Sequence, residues 1–550
     1  MSTQNHHAFC RVAWSRTAIE GARDLAGLRR RLTFCPMPFR IALVLLLTIS
    51  LRAAEPATVV ETLPSPAGAN SFGSNLSVSA DGVAWLTWLE TDSDKTTRLH
   101  AATLERGSKR WSQAQTLATG RNLSTGTADF PAVSAGRNGH ATALWYVDNA
   151  PSPETSHLHH GAGYHAVTRA TRDGGRTWSP PEKLSRESDL VEFAALTTLA
   201  DGRVLAVWLD GRIKKARGLH AAHTDVKPAQ QLFSRIVGSK GPDVLVDGKV
   251  CDCCHTALTA FPDGTALLAY RGRDDDEARD IRVARFRGES WSASRVLNSD
   301  DWRINGCPVN GPQLASDGGR VAAVWFTAAD SDPRILASYS PDAGGRFLMP
   351  LRLSSPTPAP AGRVSTILLH DGAILVSWVD SDGALVLRRV TPDYSAAGPA
   401  VSLTSSEHGR IKGFPRLALW RDYRGGSSPV QLLATFTRES PARVETLLVT
   451  VPEGELLAAA TDCDCSPTPE QLRGYPIRGS IVAVDRARGT LTVKHAEVPG
   501  MFTAGSTEFR VDAAALTPPA QPGREFLARF ESSPDGWRLF DVRLIASGPR

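Results

Sequence analysis

The sequence predicts an all-β fold: a β-propeller of seven blades, with six as the alternative, followed by a small β-barrel. Three observations carry this. A turn pair followed six residues later by an aromatic recurs along most of the chain, each aromatic ends an apolar segment, and beyond residue 452 the repeat gives way to shorter strands. A length of 550 residues accommodates one large core and a smaller module. Apolar and charged fractions of 42% and 22%, with 46 Gly and 36 Pro, fit a turn-rich globular chain and exclude neither an enzyme nor a binding protein.

Residues 1–53 read as a signal region. Pro38-Phe39-Arg40 leads into the apolar run 41–49, and Leu51-Arg52-Ala53-Ala54-Glu55 supplies small residues for cleavage. The run is too short to span a bilayer, so the expectation is an exported protein, periplasmic or secreted, without membrane attachment after cleavage. Met37 directly precedes this signal, so residues 1–36 read as a mis-assigned start or an extended charged region. Arg29-Arg30-Arg31 matches a twin-arginine signal poorly. Residues 1–53 hold eight Arg and two acids, a surplus of six against +5 for the whole chain, which leaves the remainder near −1. No basic domain survives to argue for nucleic acid. Of eight cysteines, Cys10 and Cys35 precede the cut; Cys251, Cys253, Cys254, Cys307, Cys463 and Cys465 remain. An even number in an exported chain favours disulfides, while the tight clustering also suits metal.

The repeat runs through Asp81-Gly82 with Trp88, Asn138-Gly139 with Trp145, Asp201-Gly202 with Trp208, Asp263-Gly264 with Tyr270, Asp317-Gly318 with Trp325 and Asp371-Gly372 with Trp378. A weaker seventh copy runs from Pro415 through Gly425-Gly426 to Phe436. Asp-Gly and Asn-Gly predict tight hairpins in which both central residues take positive φ. The segments VAWLTW, ATALWY, RVLAVW, TALLAY, RVAAVW and AILVSW predict strands covered on both faces. A third strand follows, as in LHAATLE, YHAVTRA or ILASYS, then a short fourth ending near Leu117, Leu184, Leu232, Leu297, Leu353 or Leu403. The last copy lacks a fourth strand. VVETLP, ending at Leu63, is expected to supply it and close the ring, which removes the open sheet edge.

Two copies carry a further signature, Thr171-Arg172-Asp173-Gly174-Gly175-Arg176-Thr177-Trp178 and Ser340-Pro341-Asp342-Ala343-Gly344-Gly345-Arg346-Phe347. These resemble the Asp box of sialidases and related BNR-repeat propellers, which implies a sialidase-like β-propeller over residues 54–452. Asp173 and Asp342 are expected to cap the turn, Gly175 and Gly344 to take positive φ, and Trp178 and Phe347 to wedge between strands. The box is structural and does not itself imply activity. Sialidases hold the substrate carboxylate with three arginines and attack with a tyrosine activated by a glutamate, an aspartate serving as acid/base. Here the first inner strand reads Ser74-Asn75-Leu76-Ser77-Val78, without the family's arginine. Arg271, Arg273, Asp274 and Tyr423 remain as catalytic candidates, none in a matching motif. The CDCC and GCPVNG segments look like those of a bacterial exo-α-sialidase-like branch.

In a four-stranded blade, the first hairpin and the Asp box share one face of the disc. Loops after second strands and before first strands share the other. That second face receives Cys251-Asp252-Cys253-Cys254-His255 before the fourth blade and Gly306-Cys307-Pro308-Val309-Asn310-Gly311 before the fifth. Cys251, Cys253, Cys254, Cys307 and His255 fit either a soft-metal site for copper or zinc or two disulfides clamping adjacent loops. Asp210, Arg212, Arg271 and Arg273 fall on the same face, with Asp274-Asp275-Asp276 and Arg279-Asp280. They fit an anionic ligand held by bidentate hydrogen bonds, or a solvated ion-pair network. His157-Leu158-His159-His160 is a further metal candidate, whereas His100, His165 and His220 read as equivalent third-strand positions.

Cys463 and Cys465 fall in a predicted linker, 453–473. Over residues 474–547, IRGSIVAVD, TLTVKHAEV, STEFRVD and WRLFDVRLI predict a small barrel. This module resembles the CusF-like periplasmic copper-binding OB-fold family, His495 matching its metal-binding histidine and Val498-Pro499-Gly500 its following turn. The resemblance implies an OB-fold-like barrel and copper binding. Gly505-Ser506-Thr507 stands where the family has Met-Thr-Met, whose thioethers select Cu(I); Met501, Cys463 and Cys465 are the substitute donors. The expected function is ligand recognition at a cysteine-lined mouth, with copper as the candidate metal. The alternative is an exo-α-sialidase-type glycoside hydrolase acting on anionic sugars. The expected partner is a small molecule, glycan or metal ion at the mouth, with a protein partner left open.

Overall fold

The computed structural model describes residues 58–451 and 475–544, apart from 127, 150–162, 214–228, 305, 393, 395–396, 405–409, 422–428, 496–504, 512–519 and 534–535. Residues 1–53, read above as a signal region, together with His157, His159, His160, His220, Tyr423, Gly425-Gly426, Cys463, Cys465 and residues 498–501, lie outside the described residues.

Seven antiparallel sheets follow one another along the chain, each ordered from its inner strand outward. The inner strands are Ser71–Val78, Ala132–Ala135, Val191–Thr198, Ala257–Ala260, Gln313–Ser316, Pro360–Leu368 and Ile411–Arg421. Second strands such as Val321–Thr327 and Ile374–Asp380 are buried at every residue, because each blade is covered by a neighbour on both faces. Trp85, Trp88, Trp208, Trp325 and Trp378 are the bulkiest fully buried side chains between blades. The fourth sheet adds a two-residue strand, Ser290–Trp291, beside Arg295–Asn298. In the seventh, Val59–Leu63 pairs with Ala442–Val451 and places Leu63 opposite Thr446. Val59–Leu63 thus completes the last blade, and the ring has seven members.

The hairpin expectation needs correction. Only Asn138-Gly139 has both residues at positive φ; in Asp81-Gly82, Asp201-Gly202, Asp263-Gly264, Asp317-Gly318 and Asp371-Gly372 the glycine alone does. In the loops holding Gly82, Gly202, Gly264 and Gly372, the glycine N–H closes a turn onto the carbonyl three residues back, as in Gly202 to Leu199 at 2.9 Å. The result is a three-residue loop with a glycine bulge. The aspartate acts as a cap: Asp201, Asp263 and Asp371 each accept the N–H two residues on, at 2.8–3.0 Å. A second correction falls in the third blade, where Leu232 lies in the third strand, Gln230–Ile236, and the fourth is Val244–Val250. The longer connection after Asp210 displaced the repeat.

In the segments 171–178 and 340–347 the glycines Gly175 and Gly344 take positive φ and the aspartates cap the turn. Asp173 accepts the Thr177 N–H at 2.9 Å and its hydroxyl at 2.6 Å, and those bonds hold its carboxyl down at about 2. Asp342 accepts the Arg346 N–H at 2.8 Å. Trp178 meets Trp85 of the preceding blade edge-on at 5.9 Å, and Phe347 packs with Leu267 and Leu297 of its own preceding blade. Each box therefore fastens one blade to the one before it.

Residues 475–544 form a closed five-stranded barrel in the order Tyr475–Asp485, Thr490–His495, Gly505–Val511, Gly536–Leu544, Glu525–Ser533. The third and last strands pair in parallel, Arg510 opposite Arg538. Ile477, Ile481, Leu491, Val493, Phe509, Phe526, Phe530 and Leu539 fill its core. A small closed barrel is what the strands of this segment predicted. Among the described residues no helix is long and apolar enough to cross a membrane.

Candidate ligand-binding mouth

Four inner strands share one irregularity where they leave the face opposite the hairpins. Pairing skips between Phe72 and Asn75, Glu192 and Ala195, Gly362 and Ser365, and Lys412 and Arg416. Within these skips Gly73, Phe193, Arg363 and Gly413 take positive φ. Such bulges re-aim side chains, and here they turn them toward the propeller axis.

What meets there is aromatic. His255, ahead of the fourth blade, lies 4.1 Å from the ring of Phe414 in the seventh, 5.2 Å from Phe130 at the second and 5.1 Å from Phe193 in the third. Phe130 and Phe414 stack at 5.8 Å. Blades four and seven are not ring neighbours, so these contacts cross the axis and plug its mouth end. The ring nitrogens of His255 face two carbonyls, Nε2 to Ala128 O at 2.7 Å and Nδ1 to Val309 O at 3.2 Å. Burial, then the charge of Arg416, push its pKa down to about 3. It is therefore a neutral hub of the plug, with both nitrogens already facing backbone, rather than the metal ligand expected.

Two cavities adjoin the plug and share Lys412, Gly413 and Phe414. One, of about 330 Å³, is lined by Phe72, Ser74, Thr91, Lys95, Thr125, Phe130 and Thr437 besides. The other, of about 490 Å³, is lined by Val309, Asn310, Arg363, Asp380, Arg410 and Glu439 among others.

The cysteines pair as Cys251–Cys254 and Cys253–Cys307, the second joining the loops ahead of blades four and five. The GCPVNG segment owes its residues to this corner. Cys307 anchors it, Val309 faces His255, and Asn310 staples blade six by accepting the Arg363 N–H at 2.8 Å and donating to Ala361 O at 3.2 Å. Any Cβ on Gly311 would overlap the His255 carbonyl.

The predicted anion ligands sit elsewhere. Arg271 is buried, each of its three guanidinium nitrogens donating to a backbone carbonyl, of Asn310, Arg279 and Phe326, at 2.6–3.1 Å. Arg212 grips Asp210 through two bonds at 2.8–2.9 Å and also meets Asp243 and Glu187 at 2.9 Å. Arg273 pairs with Asp252 and Glu277, and Asp274 with Arg282. None of these residues lines either cavity. Arg271 apart, they form the ion-pair alternative, with Asp210 and Arg273 buried and Arg212 and Asp274 partly exposed.

A repeated device identifies an acid that sequence reasoning missed. Trp88, Trp208 and Trp378 each donate Nε1–H to the carboxylate two residues on, Glu90, Asp210 and Asp380, at 2.7–2.9 Å. Glu90 has His100 beside it at 3.6 Å and Asp210 has Arg212. Asp380 instead faces the larger cavity, and burial, reinforced by Asp382 and opposed by the Trp378 bond, pushes it up to about 6. The Trp-x-acid spacing was visible in the sequence, as were the Phe72-Gly73 and Gly413-Phe414 pairs.

In the barrel, His495 Nε2 lies 2.8 Å from the Thr507 hydroxyl. A hydroxyl, not a thioether, stands at the residue matched to the copper family's second methionine, so the described residues of the barrel do not fit Cu(I).

No protein-family model matches the chain, and no curated relative matches it in sequence. Solved structures similar to it include the α-L-arabinofuranosidase of Fusarium graminearum (13% identity, 73% of this chain and 99% of that one, TM-score 0.38). The intramolecular trans-sialidase of Ruminococcus gnavus (9%, 70% and 95%, 0.38) and the six-bladed lectin of Aleuria aurantia (12%, 62% and 99%, 0.34) are others. At such scores the fold assignment rests on the chain itself, and its own sheets make it a seven-bladed β-propeller followed by a closed five-stranded barrel.

Proposed function

We propose that this protein is an exported recognition propeller whose mouth takes an anionic small molecule or glycan. One observation carries the reading. The smaller cavity combines Lys95 and Lys412, the rings of Phe72, Phe130 and Phe414, and four hydroxyls, with no carboxylate among its lining residues. Rings cover the apolar face of a sugar, while hydroxyls and ammonium groups take its acidic and polar edge. Arg363 and Arg410 extend the positive wall into the adjoining cavity.

A second reading, hydrolysis of acidic glycosides, is favoured by Asp380. It lines the larger cavity together with Glu439, and it retains its proton nearer neutrality than an ordinary carboxyl. A copper role for this face would rest on Cys251, Cys253 and Cys254, whose sulfurs lie within 4.8 Å of one another. They become ligands only after both bridges are reduced.

Calorimetric titration with acidic and matched neutral oligosaccharides tests recognition. Acidic members should bind, and Lys412→Ala, which touches both cavities, should weaken them about tenfold. Equal affinity for neutral sugars, or an indifferent Lys412→Ala, would sink the proposal. Turnover lost in Asp380→Asn with binding retained would favour the hydrolase.

A further inference from the structure

Arg416 is the first residue of the seventh inner strand to pair after its bulge, opposite Thr435. Its guanidinium lies 5.0 Å over the ring of Phe130, at the head of the second blade. Blade one intervenes between them, so the side chain reaches across the axial channel beside the aromatic plug. Other arginines around the mouth are compensated: Arg271 by carbonyls, Arg273 and Arg279 by Glu277, Arg212 and Arg235 by Asp243, Arg363 by the Ile411 carbonyl at 2.9 Å. Arg416 differs. The side chain is half-buried with its Nη1 closed off from solvent, and, unlike Arg235 and Arg279, whose charges face carboxylates, its guanidinium has no hydrogen bond or ion pair among the described residues. Burial alone pulls its pKa down to about 10, with no carboxylate near enough to oppose it. The ring beside it, His255, is neutral and supplies no countercharge.

A cation over one phenyl face recovers only part of the cost of desolvating a guanidinium. A guanidinium nitrogen closed off and left unsatisfied in this way, on a half-buried side chain with no countercharge, points to an ion or water that completes it. We propose that a small inorganic anion of halide size occupies the axial channel against Arg416 and locks the plug of Phe130, His255 and Phe414. One guanidinium and the positive edges of aromatic rings satisfy a weakly hydrated halide. An oxyanion would need further donors. This site stands independently of what the mouth binds.

Bromide is the probe. Thermal unfolding of the full chain is followed as bromide replaces gluconate at constant ionic strength, and crystals grown in bromide are measured at its absorption edge. Wild type should show a saturable rise in Tm of about 2–4 °C and an anomalous peak within hydrogen-bond reach of Arg416. Arg416→Leu should lose the rise, while Arg416→Lys keeps a smaller one. If Arg416→Leu does not fold, the wild-type anomalous peak decides. Bromide peaks elsewhere only, ordered water alone at Arg416, or an equal response in wild type and Arg416→Leu would overturn the site.

Discussion

At the scale of single residues, the mouth reuses one device for different ends. The Trp-x-acid bond recurs, but its surroundings decide whether the carboxylate is silenced, as Asp210 is by Arg212, or left responsive, as Asp380 is. A carboxyl raised in the folded state contributes a cost that grows as it ionises. Stability tied to Asp380 is therefore full below about pH 4 and is lost as pH rises through about 6. Asp129, also pushed up to about 6 by burial, titrates with the same sign, so the comparison must be with a variant. In urea unfolding, wild type should lose on the order of 1 kcal/mol relative to Asp380→Asn between pH 4 and 7, discounted for solvent in the cavity. Parallel curves would show an ordinary carboxyl.

At the scale of elements, the closing strand is the critical one. Leu63 is buried among Leu76, Leu433, Leu448 and Trp420, joining the first and last blades. Leu63→Ala should cost about 2–4 kcal/mol in denaturant unfolding, while Val59→Ala, on an exposed residue of the same strand, should cost almost nothing. This strand was legible in the sequence because a missing fourth strand and a spare apolar run are complementary facts. The hairpin geometry was not, because Asp-Gly serves both a two-residue turn and a three-residue loop, and only the pairing of the following residues separates them. The third blade was misread at Leu232 because the connection after Asp210 is longer than in the other copies. Bulges at the inner strands left no periodic trace beyond glycines beside phenylalanines.

At the scale of the molecule, the sequence pointed to one face as the candidate, and the structure puts other residues in its cavities. Charged residues after the aromatics drew attention, yet they neutralise one another, and the lining falls to Lys95, Arg363, Lys412 and three phenylalanines. Contacts across the axis join residues as distant as His255 and Phe414, and no local motif records that. The bridge Cys253–Cys307 closes a loop of 54 residues. Peptide mapping without reductant should recover it. Cys307→Ser should lower stability by about 4 kcal/mol in the chain-entropy estimate and weaken ligand binding through the Val309–Asn310 wall; unchanged stability would make the bridge incidental. The order of synthesis has its own consequence for the ring. Residues 59–63 leave the ribosome ahead of the other propeller strands, whereas their partner, Ala442–Val451, is made last among them. A nascent chain can stack its blades in succession but cannot seal them, so one apolar strand waits unpaired until nearly four hundred further residues have followed it.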